Sequence, residues 1–154
     1  MESEARSSAH DLPYDPWRDL AENWPGIEVV REPMRGRLLG ELRFPVIALR
    51  AGTSAAQERC TLAHELVHLE RGGGGGGPWS AREELLVHAE AARRLVTLDA
   101  LAGAIAEIGG DHDVGALASL LDVDTDTARL RLRLLDAAER DRLRAGLNPQ
   151  TWVA

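Results

Sequence analysis

An α+β fold is predicted for this chain: a small antiparallel sheet packed on a helical core, with a further helical part at the C-terminus. Three observations carry it. Residues 27–50 hold short apolar runs broken by Gly and Pro, the pattern of strands and turns. From Thr53 onwards apolar residues recur at helical spacing, each run preceded by a capping signal. The 154 residues, 44% hydrophobic, suit one compact body with a core made mostly of Leu, Ala and Val.

Residues 1–13 are small, polar and charged, and are expected to be disordered. Asp15-Pro16-Trp17 opens a short helix, with Asp15 as cap and Pro16 in the first turn. Trp17, Leu20 and Trp24 share one face, which should dock on the body, and Pro25-Gly26 ends the helix. Ile27 to Val30, Arg37 to Arg43 and Pro45 to Arg50 are the expected strands, and Pro45 points to an edge position for the last of them. Ser54 and Gln57 form a capping-box pattern for a helix reaching about Glu70. Gly72 to Gly77 and Pro78 can be neither helix nor strand, so a mobile loop is expected there. Ser80 with Glu83 caps the next helix, whose stripe is read as Glu84, His88, Ala91, Leu95 and Leu98. Helices are expected at about 99–108, 113–121, 125–135 and 136–145, the last capped by Asp136 with Glu139. This divides the chain into a core over 14–110, a helical part over 111–147 packed on it, and a frayed tail over 148–154.

A net charge of −7 disfavours a partner bound through clustered phosphate contacts, so DNA is an unfavoured partner. The single cysteine, Cys60, rules out an internal disulfide and a Cys-based metal site, and fits a reducing cytosol. The acidic start lacks the apolar run of a secretion signal, and no stretch is long and apolar enough for a membrane span. A cytoplasmic protein is expected.

The chemistry is carried by Ala63-His64-Glu65-Leu66-Val67-His68. Two imidazoles four residues apart lie on one helical face and can grip one ion, while the adjacent Glu can act on a water. At this His and Glu content the motif arises by chance in roughly one such chain in seventy, so its context decides. Three protein ligands and an open position are needed. Glu83, Glu84, Glu90 and His88 are available on the following helix; Glu84 is chosen as third ligand and His88 as the acceptor that orients a ligand ring. Zinc is the expected ion, with manganese the alternative, since His and carboxylate ligands suit both. Such an ion polarises a scissile carbonyl and acidifies water, with Glu65 as the catalytic proton carrier. Tyr14, His88 and His112 are the candidate donors to the developing oxyanion. Cys60 reads as a small buried hydrophobe.

The chain resembles the ImmA/IrrE family of metallopeptidases. The carrying segments are Asp15-Pro16-Trp17, Val46 to Arg50, Glu58 to Leu69, Arg82-Glu83-Glu84 with Ala91 to Leu95, Leu98 to Leu101, and Leu120 to Leu132. The resemblance implies a gluzincin-like zincin core, Glu84 as ligand, and cleavage of a regulatory protein. The implied substrate is a Cro/CI-type helix-turn-helix repressor whose loss derepresses stress, mobile-element or prophage genes. His88 stands where the family usually has an acidic or amide side chain, and Thr97 where Pro is common.

Residues 114–132 look like a helix-turn-helix, a pair that family members carry within the fold. Eight acidic residues against six arginines between Asp111 and Leu147 favour protein packing or repressor docking over DNA, although Arg129, Arg131 and Arg133 lie on the second helix. The leading function is therefore a site-specific zinc peptidase, with Val46, Ile47, Ala48 and Leu49 as the edge that holds an extended substrate. The competing function is a non-catalytic, metal-stabilised regulator that binds a repressor or DNA.

Overall fold

The computed structural model describes residues 13–72, 80–109 and 113–146. The expectations for residues 1–12, the hexaglycine stretch beyond Gly72, His112 and the tail lie outside these. The order is α1 (Pro16–Asn23), β1 (Glu28–Glu32), β2 (Gly40–Arg43), β3 (Val46–Arg50), α2 (Ala55–Glu70), α3 (Ala81–Leu95), α4 (Leu98–Ile108), α5 (Val114–Leu120), α6 (Thr125–Arg133) and α7 (Ala137–Gly146). None of these helices is long and apolar enough to cross a membrane.

The caps read from sequence set these boundaries. Asp15 accepts the Trp17 N–H at 3.0 Å and Ser54 accepts the Gln57 N–H at 3.1 Å, each satisfying a donor that the first helical turn leaves open. Ser80 with Glu83 and Asp136 with Glu139 are reciprocal boxes. Some boundaries differ from expectation: β2 starts at Gly40 and not at Arg37, and β1 extends to Glu32. Thr97 caps a new helix by accepting the Ala100 N–H, so α3 ends at Leu95 and Leu98 opens α4.

The sheet is mixed rather than antiparallel, in the order β1-β3-β2. β1 pairs with β3 in parallel, from Glu28 opposite Val46 to Glu32 opposite Arg50. β2 pairs with β3 antiparallel, from Gly40 opposite Leu49 to Arg43 opposite Val46. Val46, Ile47, Ala48 and Leu49 therefore form the central strand, not an edge. Pro45 sits in the turn before the first paired residue, where its missing N–H costs nothing. The unbroken apolar run that follows is the better guide, because Ile47, Ala48 and Leu49 are wholly buried, as strands covered on both faces are.

α2 joins two cores. Leu62, Leu66 and Leu69 meet Ile47 and Leu49 of the sheet, with Trp17, Leu20 and Trp24 closing that cluster. Cys60, Ala63 and Val67 meet Val87, Ala91 and Leu95 of α3 and, beyond them, Leu117, Ala128 and Leu143 of α5, α6 and α7. The C-terminal helices thus share one core with the motif helix. With two faces of α2 spent on packing, Thr61, His64, Glu65 and His68 occupy the third, each face covering about a third of the circumference.

Arg131, considered above as a DNA contact, is only 3% exposed. Its Nε donates to the Val96 carbonyl at 2.9 Å and its guanidinium pairs with Glu139 at 2.6 Å. It ties α6 to α7 and to the α3–α4 junction. Replacing Arg131 by Ala is expected to lower unfolding free energy by about 2–3 kcal/mol, while Arg129→Ala, exposed beside Asp126, should change it by less than about 0.5 kcal/mol. The Arg131 bond holds the Glu139 carboxyl below its ordinary value of 4.5, so this stabilisation is complete above that pH and is lost as pH falls below it. Urea unfolding of both variants at pH 7 and in acid measures the difference.

Candidate metal centre

The third face of α2 carries His64 and His68 one turn apart, and their Nε2 atoms lie 3.0 Å from each other. The Ser80 box starts α3 so that Glu84 falls in its first turn, facing them. Glu84 Oε2 is 3.4 Å from His64 Nε2 and its Oε1 is 3.2 Å from His68 Nε2. Small buried residues, Ala63 on α2 with Ala91 and Ala92 on α3, are compatible with this close approach. Among the described residues this is the one group of three such side chains whose ligand atoms converge. The rival carboxylates are committed elsewhere: Glu83 to the Ser80 box and Glu90 to Arg94 at 2.8 Å.

The donor set fits a divalent cation. Ligands at about 2.0–2.1 Å in tetrahedral geometry stand about 3.3 Å apart, close to the separations found here. Burial, then the neighbouring His88 and His68, pushes His64 down to about 3, and burial also lowers His68. Both rings are therefore neutral at pH 7, the form that binds metal. Two neutral rings and a carboxylate with ligand atoms this close could hold one divalent ion.

Glu65 is buried beside this group. Burial, and then the Glu84 charge, raises its carboxyl to about 8, against the opposing pull of the Leu42 backbone N–H. Gly40 on β2 lies directly over it. A Cβ at Gly40 would come within 2.3 Å of Thr61 Cγ2 and 3.1 Å of Glu65 Oε1, so only glycine lets β2 rest on this part of α2. The sequence reading missed Gly40, taking it only as a break between apolar runs. Its signal was a glycine inside a strand, which marks a close backbone approach.

The cluster opens on a cleft of about 730 Å³, lined by Gly40, Thr61, His64, Glu65, Glu84 and His88, with α6 contributing Thr127, Leu130 and Arg133. Val46, Ile47, Ala48 and Leu49 do not line it. β2 is the strand that reaches it. The Arg50 N–H donates to the Leu39 carbonyl at 2.8 Å, so by antiparallel alternation Glu41 and Arg43 also turn their backbone groups towards β3. Gly40 and Leu42 turn theirs to the outer edge, where the Leu42 N–H bonds Glu65.

His88 lies near His64 but not as expected. The two rings stand 4.3 Å apart between centroids, tilted by 42°, and the buried Nδ1 of His64 has no hydrogen-bond partner among the described residues. His88 therefore packs on a ligand ring and does not accept its proton. Tyr14 is outside the cleft, its hydroxyl donating to Asp19 at 2.8 Å. Cys60 is a buried thiol, raised to about 11 by burial, whose sulfur accepts the Asp124 N–H at 3.3 Å.

Two outcomes are expected. Glu84→Gln should weaken zinc binding at least about 100-fold in a chelator competition, whereas Glu83→Gln and Glu90→Gln should leave it within about 3-fold. Gly40→Ala should cost about 1–3 kcal/mol in urea unfolding, and Thr61→Ser, which removes the obstructing methyl, should recover most of it.

Comparison with curated proteins and with solved structures returned no match. A family model does match: Peptidase_M78, the IrrE N-terminal-like domain, over residues 23–133. The matched stretch runs from the last residue of α1 to the last of α6 and includes His64, Glu65, His68 and Glu84. The chain belongs to the Peptidase_M78 family of IrrE N-terminal-like domains, a family of metallopeptidase type.

Proposed function

We propose that this chain is a zinc-dependent peptidase that cuts a regulatory protein, a helix-turn-helix transcriptional repressor, and so relieves repression in the cytoplasm. The observation that carries the peptidase reading is the convergence of His64, His68 and Glu84 beside a buried Glu65, in a cleft bordered by an open strand edge. The repressor as substrate rests on the family resemblance.

His64, His68 and Glu84 would hold the ion, which when bound supplies a polarised carbonyl and an acidified water. Glu65 takes the proton of the attacking water and passes it to the leaving amine. Its place beside the three ligands, in the cleft, suits it to both tasks. His88 lines the same cleft and is the candidate donor to the oxygen on which charge develops; Tyr14 is committed elsewhere. An extended substrate adds to the outer edge of β2, where Gly40 turns its backbone groups outward beside the Leu42 N–H that bonds Glu65, rather than to β3.

With a co-expressed repressor as substrate, Glu65→Gln is expected to retain stoichiometric zinc and lose at least about 100-fold in cleavage rate. In the same assay His88→Phe should lower kcat by about 10-fold or more with little change in KM. Normal cleavage by the Glu65→Gln protein would sink the mechanism. Normal derepression without any cleavage would favour the non-catalytic regulator instead.

A further inference from the structure

The peptidase reading leaves open what kind of segment the cleft accepts, and the uncommitted side chains along it bear on that. Its two arginines come from different elements: Arg37 from the turn ahead of β2 and Arg133 from the last turn of α6. Both are exposed, and neither forms an ion pair or side-chain hydrogen bond among the described residues. The described lining of the cleft also holds four acids, of which Glu65 is buried beside the metal cluster and Asp126 is largely exposed. Glu84 belongs to the metal cluster, Asp124 accepts the Thr127 N–H at 2.7 Å as the cap of α6, and Asp126 pairs with Arg129 at 3.2 Å. Five large apolar side chains are exposed among the described residues, and two of them, Leu38 at 47% and Leu85 at 68%, line this cleft.

Resting on the peptidase reading, we propose that the cleft selects an extended protein segment with a bulky apolar side chain flanked by acidic side chains, read by Leu38 and Leu85 and by Arg37 and Arg133. The net charge of −7 does not oppose this. Charges beyond about 8 Å are largely screened at physiological salt, so the segment meets the nearest side chains, of which Arg37 and Arg133 alone carry a positive charge among the described lining. An open β2 edge requires the segment to be extended, since only a strand can pair with it. Two arginines are too few for the several phosphate contacts that duplex binding needs, which leaves a peptide as the occupant.

The test uses the full zinc-loaded chain carrying Glu65→Gln, so that binding is read without turnover. The probe is an array of 12-residue peptides with a central Leu or Ser and flanks of Asp/Glu, Ser or Lys. The strongest binding is expected for central Leu with acidic flanks. Arg37→Glu and Arg133→Glu should each weaken that binding by about 5-fold and favour Lys flanks, with zinc content unchanged. Equal binding to acidic, neutral and basic flanks overturns the proposal, as does a preference untouched by both reversals or the absence of binding by any peptide. The best and worst binders are then offered to the unsubstituted protein. Acid-selective binding without cleavage would sink the peptidase reading and keep the selectivity, whereas cleavage blind to the flanks would do the reverse.

Discussion

Helix α2 is packed on two faces and carries its chemistry on the third, and the rest of the structure follows from that division. One face takes Leu62, Leu66 and Leu69 into the sheet, and another takes Cys60, Ala63 and Val67 into the helical core. Each fully buried Leu contributes about 1.5–3 kcal/mol, so α2 cannot rotate without exposing one core or the other. His64, Glu65 and His68 are consequently held at one angle. Glu84 meets the two imidazoles because α3 is pinned to the same core by Val87, Ala91 and Leu95. The ligand geometry is a by-product of two hydrophobic interfaces and needs no strained backbone.

The C-terminal helices take a place that their resemblance to a DNA-binding pair would not suggest. α6 packs on α3, and its side chains Thr127, Leu130 and Arg133 form part of the cleft wall. Polar ties reinforce the position. Arg59 on α2 donates to the Asp122 carbonyl at 2.8 Å and to the Tyr14 carbonyl at 3.0 Å, and the Asp124 N–H is bonded to the Cys60 sulfur. A helix with Arg131 buried inwards and another side on the cleft has little surface left to read a groove of DNA. α6 here helps to wall the cleft beside His64 and Glu84.

Much of the local structure was legible in the residues. The caps Asp15, Ser54, Ser80 and Asp136 each mark a helix start, since an unpaired backbone donor needs a nearby side-chain acceptor wherever the chain later goes. The four-residue spacing of His64 and His68 placed both rings on one face for the same local reason. Glu84 was singled out over Glu83 and Glu90 by its place on the following helix and by the family resemblance. Less legible was anything that required knowing which strands were neighbours. Pro45 suggested an edge for β3, but the partner that covers β3 is β1, distant in sequence and joined in parallel. The roles of Gly40 and His88 were likewise settled by contacts, Gly40 against Thr61 and Glu65, and His88 packed on the His64 ring, whose Nδ1 has no hydrogen-bond partner among the described residues.

The sequence by itself determined where helices begin, which two imidazoles share a face and which carboxylates were candidates to join them, because these depend on spacing within one element. Only the tertiary structure decided that β2 borders the cleft, that Glu83 and Glu90 are occupied elsewhere, and that Arg131 is a buried tie while Arg37 and Arg133 have no side-chain partner among the described residues. Those outcomes turn on competition among side chains far apart in the chain. Packing, which buries whichever face yields the most apolar contact, settles that competition.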